Sequence, residues 1–382
     1  MREDDSLHRE YLAFLGEHGL EPSEPLTLTR DLYLQAMDES EGRFPKSSGS
    51  QLKKLLLRHF DRTQADKQPI NYNHAIIREL SGEIEEAIRK SEYRDRFGDL
   101  HIYAGEFPTG DINALATTAP SGFLALINVG LVRFLESAVY LLLGAPLSND
   151  ATGKRVIDKD AATLMTSVLL TYILQCEPLR TKVDTSKKFR FDMNRAVHYS
   201  LFKNSCLRFA LAHEYGHVLA GHLHESSLRQ RRIITQAGEI EVLAKSWNEE
   251  YEADFIALKI LLGSADYSLT PRNNEEAAET LLRGYHLASP FFFFGLESLL
   301  RAVSNLMFGR KVVEQQAGET LATSHPPPQK RMEALHGYIE TIIPKGHPVY
   351  LPLAQSAEWL HAIIQEVLAS VKDFWKEVSW SR

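Results

Sequence analysis

The stretch "RFALAHEYGHVLAGHLHE", residues 208–225, decides how the rest of the chain is read. It sets four histidines and two glutamates among mostly apolar residues. On a helix, His213 and His217 are offset by about 40° and lie about 6 Å apart along the axis, so both imidazoles reach one ion. Glu214 stands beside the first histidine, where its carboxylate meets a water at the metal without ligating the metal itself. This HExxH spacing provides two neutral nitrogen donors, an adjacent general base and an open coordination position, which is what zinc needs in order to activate water.

The later histidines fit less well. A third histidine six residues beyond the second ligand is one known completion, but that position is Leu223. His222 is five residues on from His217, and a continuing helix turns it to a different side, where a histidine is more often solvated or a support behind a ligand than a ligand itself. His224 sits where Gly221 and the following "ESS" signal a helix end. His222, His224 and Glu225 are therefore left out of the ligand set.

A better third donor lies 33 residues past His217, in "WNEEYEADFIALKILLG". Tyr251, Phe255, Leu258 and Leu262 form an apolar stripe, and Glu250 and Asp254, four apart, share a face beside it. Glu250 supplies a carboxylate oxygen and completes a His/His/Glu zinc set. Asp254, one turn on, is placed to accept the free ring N–H of a ligating histidine. Acidic helix faces are usually solvated. These two flank a buried-looking run, where an unpartnered Asp254 is costly and calls for a buried partner.

With these residues in place, the chain resembles the gluzincin metallopeptidases that include the CaaX prenyl proteases and the HtpX heat-shock proteases. Glu250-Tyr251-Glu252-Ala253-Asp254 matches the ExxxD motif of that family, and "HEYGHVLAGH" is similar to its active-site helix. "SHPPPQKRMEAL" resembles its Ser/Thr-His-Pro-Pro segment, with an arginine six after the histidine. "NALATTAPSGFLALINVGLV" looks like its strand pair, with Leu115 in place of a common aromatic. The four matches run in the family's order over residues 113–335.

The resemblance implies Glu250 as third zinc ligand, His325 near the substrate where it stabilises the oxyanion, and Arg331 paired with Asp254. Residues 144–200 read as an insertion, available to cover or shape the cleft. ImmA/IrrE-type regulatory peptidases share HExxH and a similar acidic helix and are the competing resemblance; the His325 segment favours the first. Cytoplasmic phage-exclusion proteases are a further relative by analogy.

Composition limits the alternatives. A chain of 382 residues with 44% hydrophobic content fills a real core. A net charge of -7 makes nucleic acid an unsuitable main partner, since phosphate binding wants concentrated Lys and Arg. Cys176 and Cys206 lack metal or disulfide-framework spacing and read as free thiols in a reducing compartment. The charged N-terminus lacks a signal-peptide core, so a cytoplasmic location is expected. The apolar runs near residues 121–145 and 289–303 are interrupted by charge and read as core rather than membrane spans.

The expected fold is α+β and mainly helical, zincin-like, with a small antiparallel β-sheet packed on the active-site helices. Residues 1–70 read as an N-terminal helical region with a regulatory role, with helices at residues 30–39 and in "SQLKKLLLRHF". The peptidase domain follows over residues 71–382. Its helices are expected at residues 73–94, 130–143, 159–175, 194–224, 240–262, 274–285, 291–308 and 329–343. A last amphipathic helix over residues 356–378 needs a surface to bury against, either the body of the enzyme or a second subunit. The expected activity is zinc-dependent hydrolysis of a protein or peptide, with Glu214 as general base. Its rival is a non-catalytic zinc-binding sensor or interaction module.

Overall fold

A computed structural model of the chain describes residues 4–22, 72–145, 147–149, 155–174, 193–223, 229–235, 238–244, 247–263, 274–308 and 326–380. The helices are α1 (Asp4–Glu17), α2 (Tyr72–Arg89), α3 (Arg94–Phe97), α4 (Val129–Gly144), α5 (Lys159–Leu174), α6 (Met193–Ala220), α7 (Trp247–Leu262), α8 (Asn274–Phe308), α9 (Pro328–Ile342) and α10 (Leu351–Trp380). The strands are β1 (Ile102–Phe107), β2 (Ala114–Ala119), β3 (Gly122–Asn128), β4 (Ser148–Asn149), β5 (Arg155–Val156), β6 (Arg229–Thr235) and β7 (Gly238–Ala244). The fold is mainly helical α+β. The two helices expected at residues 30–39 and 50–60 lie outside the described residues.

Helix α6 is the centre of the molecule. Phe202, Cys206, Leu207, Phe209, Leu211, Ala212, Tyr215 and Val218 are buried on every side of it, which a helix tolerates only inside a core. It packs on α7, α8, α4, α2 and the sheet. Any polar group on its inner turns therefore needs a partner or a ligand.

The three-stranded sheet is mixed, not antiparallel as expected. β2 and β3 form an antiparallel hairpin, but β1 runs parallel to β3, and the order is β1-β3-β2. Turn residues mark a chain reversal without fixing which strand becomes the neighbour. The connection over residues 108–113 is long enough to step across one strand position, about 10 Å to the next but one. β3 enters the gap because Leu124, Leu126, Ala125 and Ile127 are apolar on both faces. Ala104, Ala125 and Ile127 face the main helical core. Tyr103, Phe107, Leu124 and Leu126 face α1, whose Leu7, Tyr11 and Leu15, spaced by four, cover them. Each such buried side chain contributes about 1.5–3 kcal/mol.

Two other elements differ from expectation. Residues 240–244 lie in β7, paired antiparallel with β6, and α7 begins only at Trp247. The β-branched "RRIIT" and Gly238 favour a hairpin where the sequence reading extended a helix. The segments expected as separate helices before and after Pro290 are one helix, α8. Pro290 lacks the N–H that would bond to the carbonyl of His286. The Ser289 hydroxyl donates to that carbonyl instead, at 2.8 Å. Burial of Leu287, Phe292, Phe294 and Leu296 then carries the helix through.

The stripe of α10 is used within the chain: Trp359, Ile363, Val367 and Val371 are buried, and the helix packs on α8 and α5.

Candidate metal centre

α6 presents His213 and His217 with their rings in an edge-to-face pair, centroids 4.6 Å apart. α7 brings Glu250 opposite them. His213 Nε2 lies 3.1 Å from His217 Nε2 and 3.4 Å from Glu250 Oε2. His217 Nε2 lies 3.5 Å from Glu250 Oε1. Donors at about 2.0–2.1 Å from a tetrahedral zinc stand about 3.3 Å from one another; the two imidazole nitrogens are near that spacing, and each has one or the other Glu250 oxygen at a similar distance. The group is buried throughout and is of a kind that holds a metal ion.

The approach of α7 to α6 depends on Gly216. A Cβ at that position would lie 2.8 Å from the Ala253 carbonyl oxygen and 3.0 Å from its Cα. Hydrogen at this position lets the backbones close enough for Glu250 to reach the imidazoles.

Each imidazole is held from behind. His213 Nδ1 lies 2.9 Å from Asp254 Oδ1. Asp254 in turn takes a two-point contact from Arg331, Nε to Oδ2 at 2.7 Å and a terminal nitrogen to Oδ1 at 2.6 Å. The guanidinium stacks on Phe294, 4.3 Å from its ring centroid. Burial pulls the His213 pKa down, but the carboxylates of Asp254 and Glu250 outweigh it and raise the ring to about 9. Burial raises Asp254, and Arg331 with His213 more than reverses this, leaving the carboxyl below its ordinary value.

Arg331 reaches this position because α9 begins at Pro328, with Pro327 as its N-cap. Proline at the first helical position sacrifices no hydrogen bond. One turn in, Arg331 is buried.

His217 is backed by His222, Nδ1 to Nδ1 at 2.9 Å, and His222 Nε2 lies 3.2 Å from Glu252 Oε2. The sequence reading turned His222 to a different side by continuing the helix. The helix ends at Ala220, and Gly221 adopts a φ of 77° that folds the chain back. The signal was present in Gly221, the residue type that favours this left-handed cap.

Glu214 is buried on α6 beside His213. His325 lies outside the described residues. His213, His217, Glu250, Asp254 and Arg331 are brought together from three helices.

Residues 193–339 match the family model of peptidase family M48. The matched stretch contains every one of these residues, and it supports a metallopeptidase acting on protein. No curated protein and no solved structure matches the chain.

Proposed function

We propose that the chain is a zinc-dependent metalloendopeptidase, with zinc held by His213, His217 and Glu250 and with Glu214 as general base. The observation that carries this is the buried group of His213, His217 and Glu250, with the two Nε2 atoms 3.1 Å apart and the Glu250 carboxylate oxygens 3.4 and 3.5 Å from them, backed by Asp254 and Arg331. Zinc held by these residues would supply a Lewis acid that acidifies water toward a pKa of about 7 and polarises a carbonyl. Glu214 takes the proton of the attacking water and returns it to the leaving amine. Asp254, fixed by Arg331, holds His213 with Nε2 toward the metal. The resemblance to the CaaX and HtpX proteases assigns His325 to the oxyanion, and the family match favours that resemblance over the ImmA/IrrE type.

α8 is long and apolar enough to cross a membrane by composition, with 56% of its apolar window buried inside the fold. We read it as a core helix, since it packs on α6, α9 and α10. A cytoplasmic setting belongs to the same reading, supported by the free, buried thiol of Cys206.

The test is Glu214→Gln. The variant is expected to bind zinc as the wild type does and to cleave about a hundred- to ten-thousand-fold more slowly. Metal analysis of the purified chain comes first. New protein termini in cells expressing wild type or variant then identify the substrate. Equal cleavage by the two would end the proposal.

A further inference from the structure

Resting on the metal-site reading above, we propose that His222 is a positioning residue for His217, fixing its tautomer and ring plane through a hydrogen-bonded line that runs from the metal site to Glu252 at the surface. The direction of the line follows from its two ends. His217 Nε2 faces the other two donors, so as a ligand it is neutral and carries its proton on Nδ1. That N–H then donates to His222 Nδ1 at 2.9 Å. His222 is left with its proton on Nε2, which donates to Glu252 Oε2 at 3.2 Å. With this direction each ring carries one N–H, and the contacts from His217 to His222 and from His222 to Glu252 each have one donor and one acceptor.

The backbone builds this line. The His222 N–H bonds to the His217 carbonyl and the Gly221 N–H to the Val218 carbonyl, both at 3.0 Å. This pair of bonds, with Gly221 at positive φ, is the Schellman helix ending. That ending lays the second residue past the cap over the residue five earlier, a place usually taken by an apolar contact. Here both residues are histidines and both are buried.

The two ligand imidazoles are thus braced differently. His213 leans on a buried carboxylate pinned by Arg331, whereas His217 leans on a second imidazole whose far side meets a carboxylate that is 56% exposed. Charge at so exposed a group is screened, so the acceptor atom at Nδ1 of His222 carries the effect and Glu252 adds little.

Asparagine and glutamine separate the two contacts of His222. His222→Asn keeps an acceptor near the Nδ1 position and gives up Glu252. His222→Gln reaches toward Glu252 and leaves the His217 N–H with no acceptor. Zinc affinity is measured by competition with a chromophoric chelator, and the visible band of the cobalt-substituted protein reports ring orientation. His222→Gln is expected to bind zinc about 10- to 100-fold more weakly, with a shifted cobalt band. His222→Asn and Glu252→Gln are expected to stay within about threefold of wild type, with the band unmoved. Unfolding in excess chelator is expected to give the Asn and Gln variants equal midpoints.

Wild-type affinity in His222→Gln overturns the inference, as does equal weakening in Asn and Gln, which would mark His222 as a space-filling cap. A wild-type chain that takes up no zinc overturns the metal reading itself.

Discussion

Replacing Gly216 with alanine adds a methyl group directly against another helix's backbone. The new Cβ would stand 2.8 Å from the Ala253 carbonyl oxygen, 3.0 Å from its Cα and 3.3 Å from its carbonyl carbon. No side chain can rotate away, so α7 itself must retreat. Restoring ordinary contact at about 3.4 Å needs a shift of about 0.6 Å. Glu250 and Asp254 flank Ala253 on the same helix and move with it. The separations of 3.4 and 3.5 Å that tie Glu250 to the two imidazoles then approach about 4 Å, whereas metal–ligand distances tolerate only about 0.2 Å.

Two terms oppose each other in stability. Alanine gains about 1 kcal/mol over glycine inside a helix, and overpacking costs about 1–3 kcal/mol. With chelator present, Gly216→Ala is therefore expected to lie between neutral and about 2 kcal/mol less stable. Zinc affinity has no such offset and is expected to fall about 10- to 100-fold. Chelator competition gives the affinity, and guanidinium unfolding gives the stability. Gly82→Ala is the control, because a Cβ on that α2 glycine meets nothing within 4 Å. Wild-type zinc affinity in Gly216→Ala would refute the claim that close helix approach sets the donor geometry.

Three further outcomes are expected. Arg331→Met leaves Asp254 buried without its main counter-charge and is expected to cost about 3–5 kcal/mol in urea unfolding, with much of the loss recovered when Asp254→Leu is added; a loss below about 1 kcal/mol would show that the pair is not desolvated. Ser289→Ala is expected to cost about 1–3 kcal/mol, because the His286 carbonyl loses its donor; in a Pro290→Ala background the backbone N–H returns and the cost should shrink, so equal costs in the two backgrounds would contradict the account of α8. His286 donates from Nδ1 to the Leu261 carbonyl and faces Arg208 at Nε2, and burial first, then the Arg208 charge, lowers its pKa to about 3. The unfolded chain takes a proton at that ring from about pH 6.5 downward while the folded chain does not, so stability falls as pH falls, by about 1.6 kcal/mol between pH 6.5 and 5 from this ring alone; His286→Gln should flatten that slope, and an unchanged slope would place the proton elsewhere.

The grouping of His213, His217 and Glu250 was partly legible because much of it is local. Four-residue spacing on a helix puts His213 beside His217 and Glu250 beside Asp254 whatever surrounds them, and only their meeting across α6 and α7 needed the structure. The pairing of Arg331 with Asp254 came from resemblance, since nothing within either segment points to the other. What was misread lay where a local rule met its boundary. His222 was placed by a helical wheel carried one residue past a left-handed glycine. Residues 274–308 were divided into two helices around Pro290, although a neighbouring hydroxyl replaces the missing donor. The parallel pairing of β1 with β3 depends on which strand is apolar on both faces, a comparison between segments that turn signals do not make.

The centre is assembled from α6, α7 and α9, with its donors at residues 213, 217 and 250 and its guanidinium brace at 331. No short fragment of the chain contains it. During synthesis the HExxH helix emerges long before its carboxylate partner and longer still before Arg331, and a chain segment of that size must close on itself before the donors meet. For the peptidase proposed above, the whole centre, brace included, can therefore form only after residue 331 has been made.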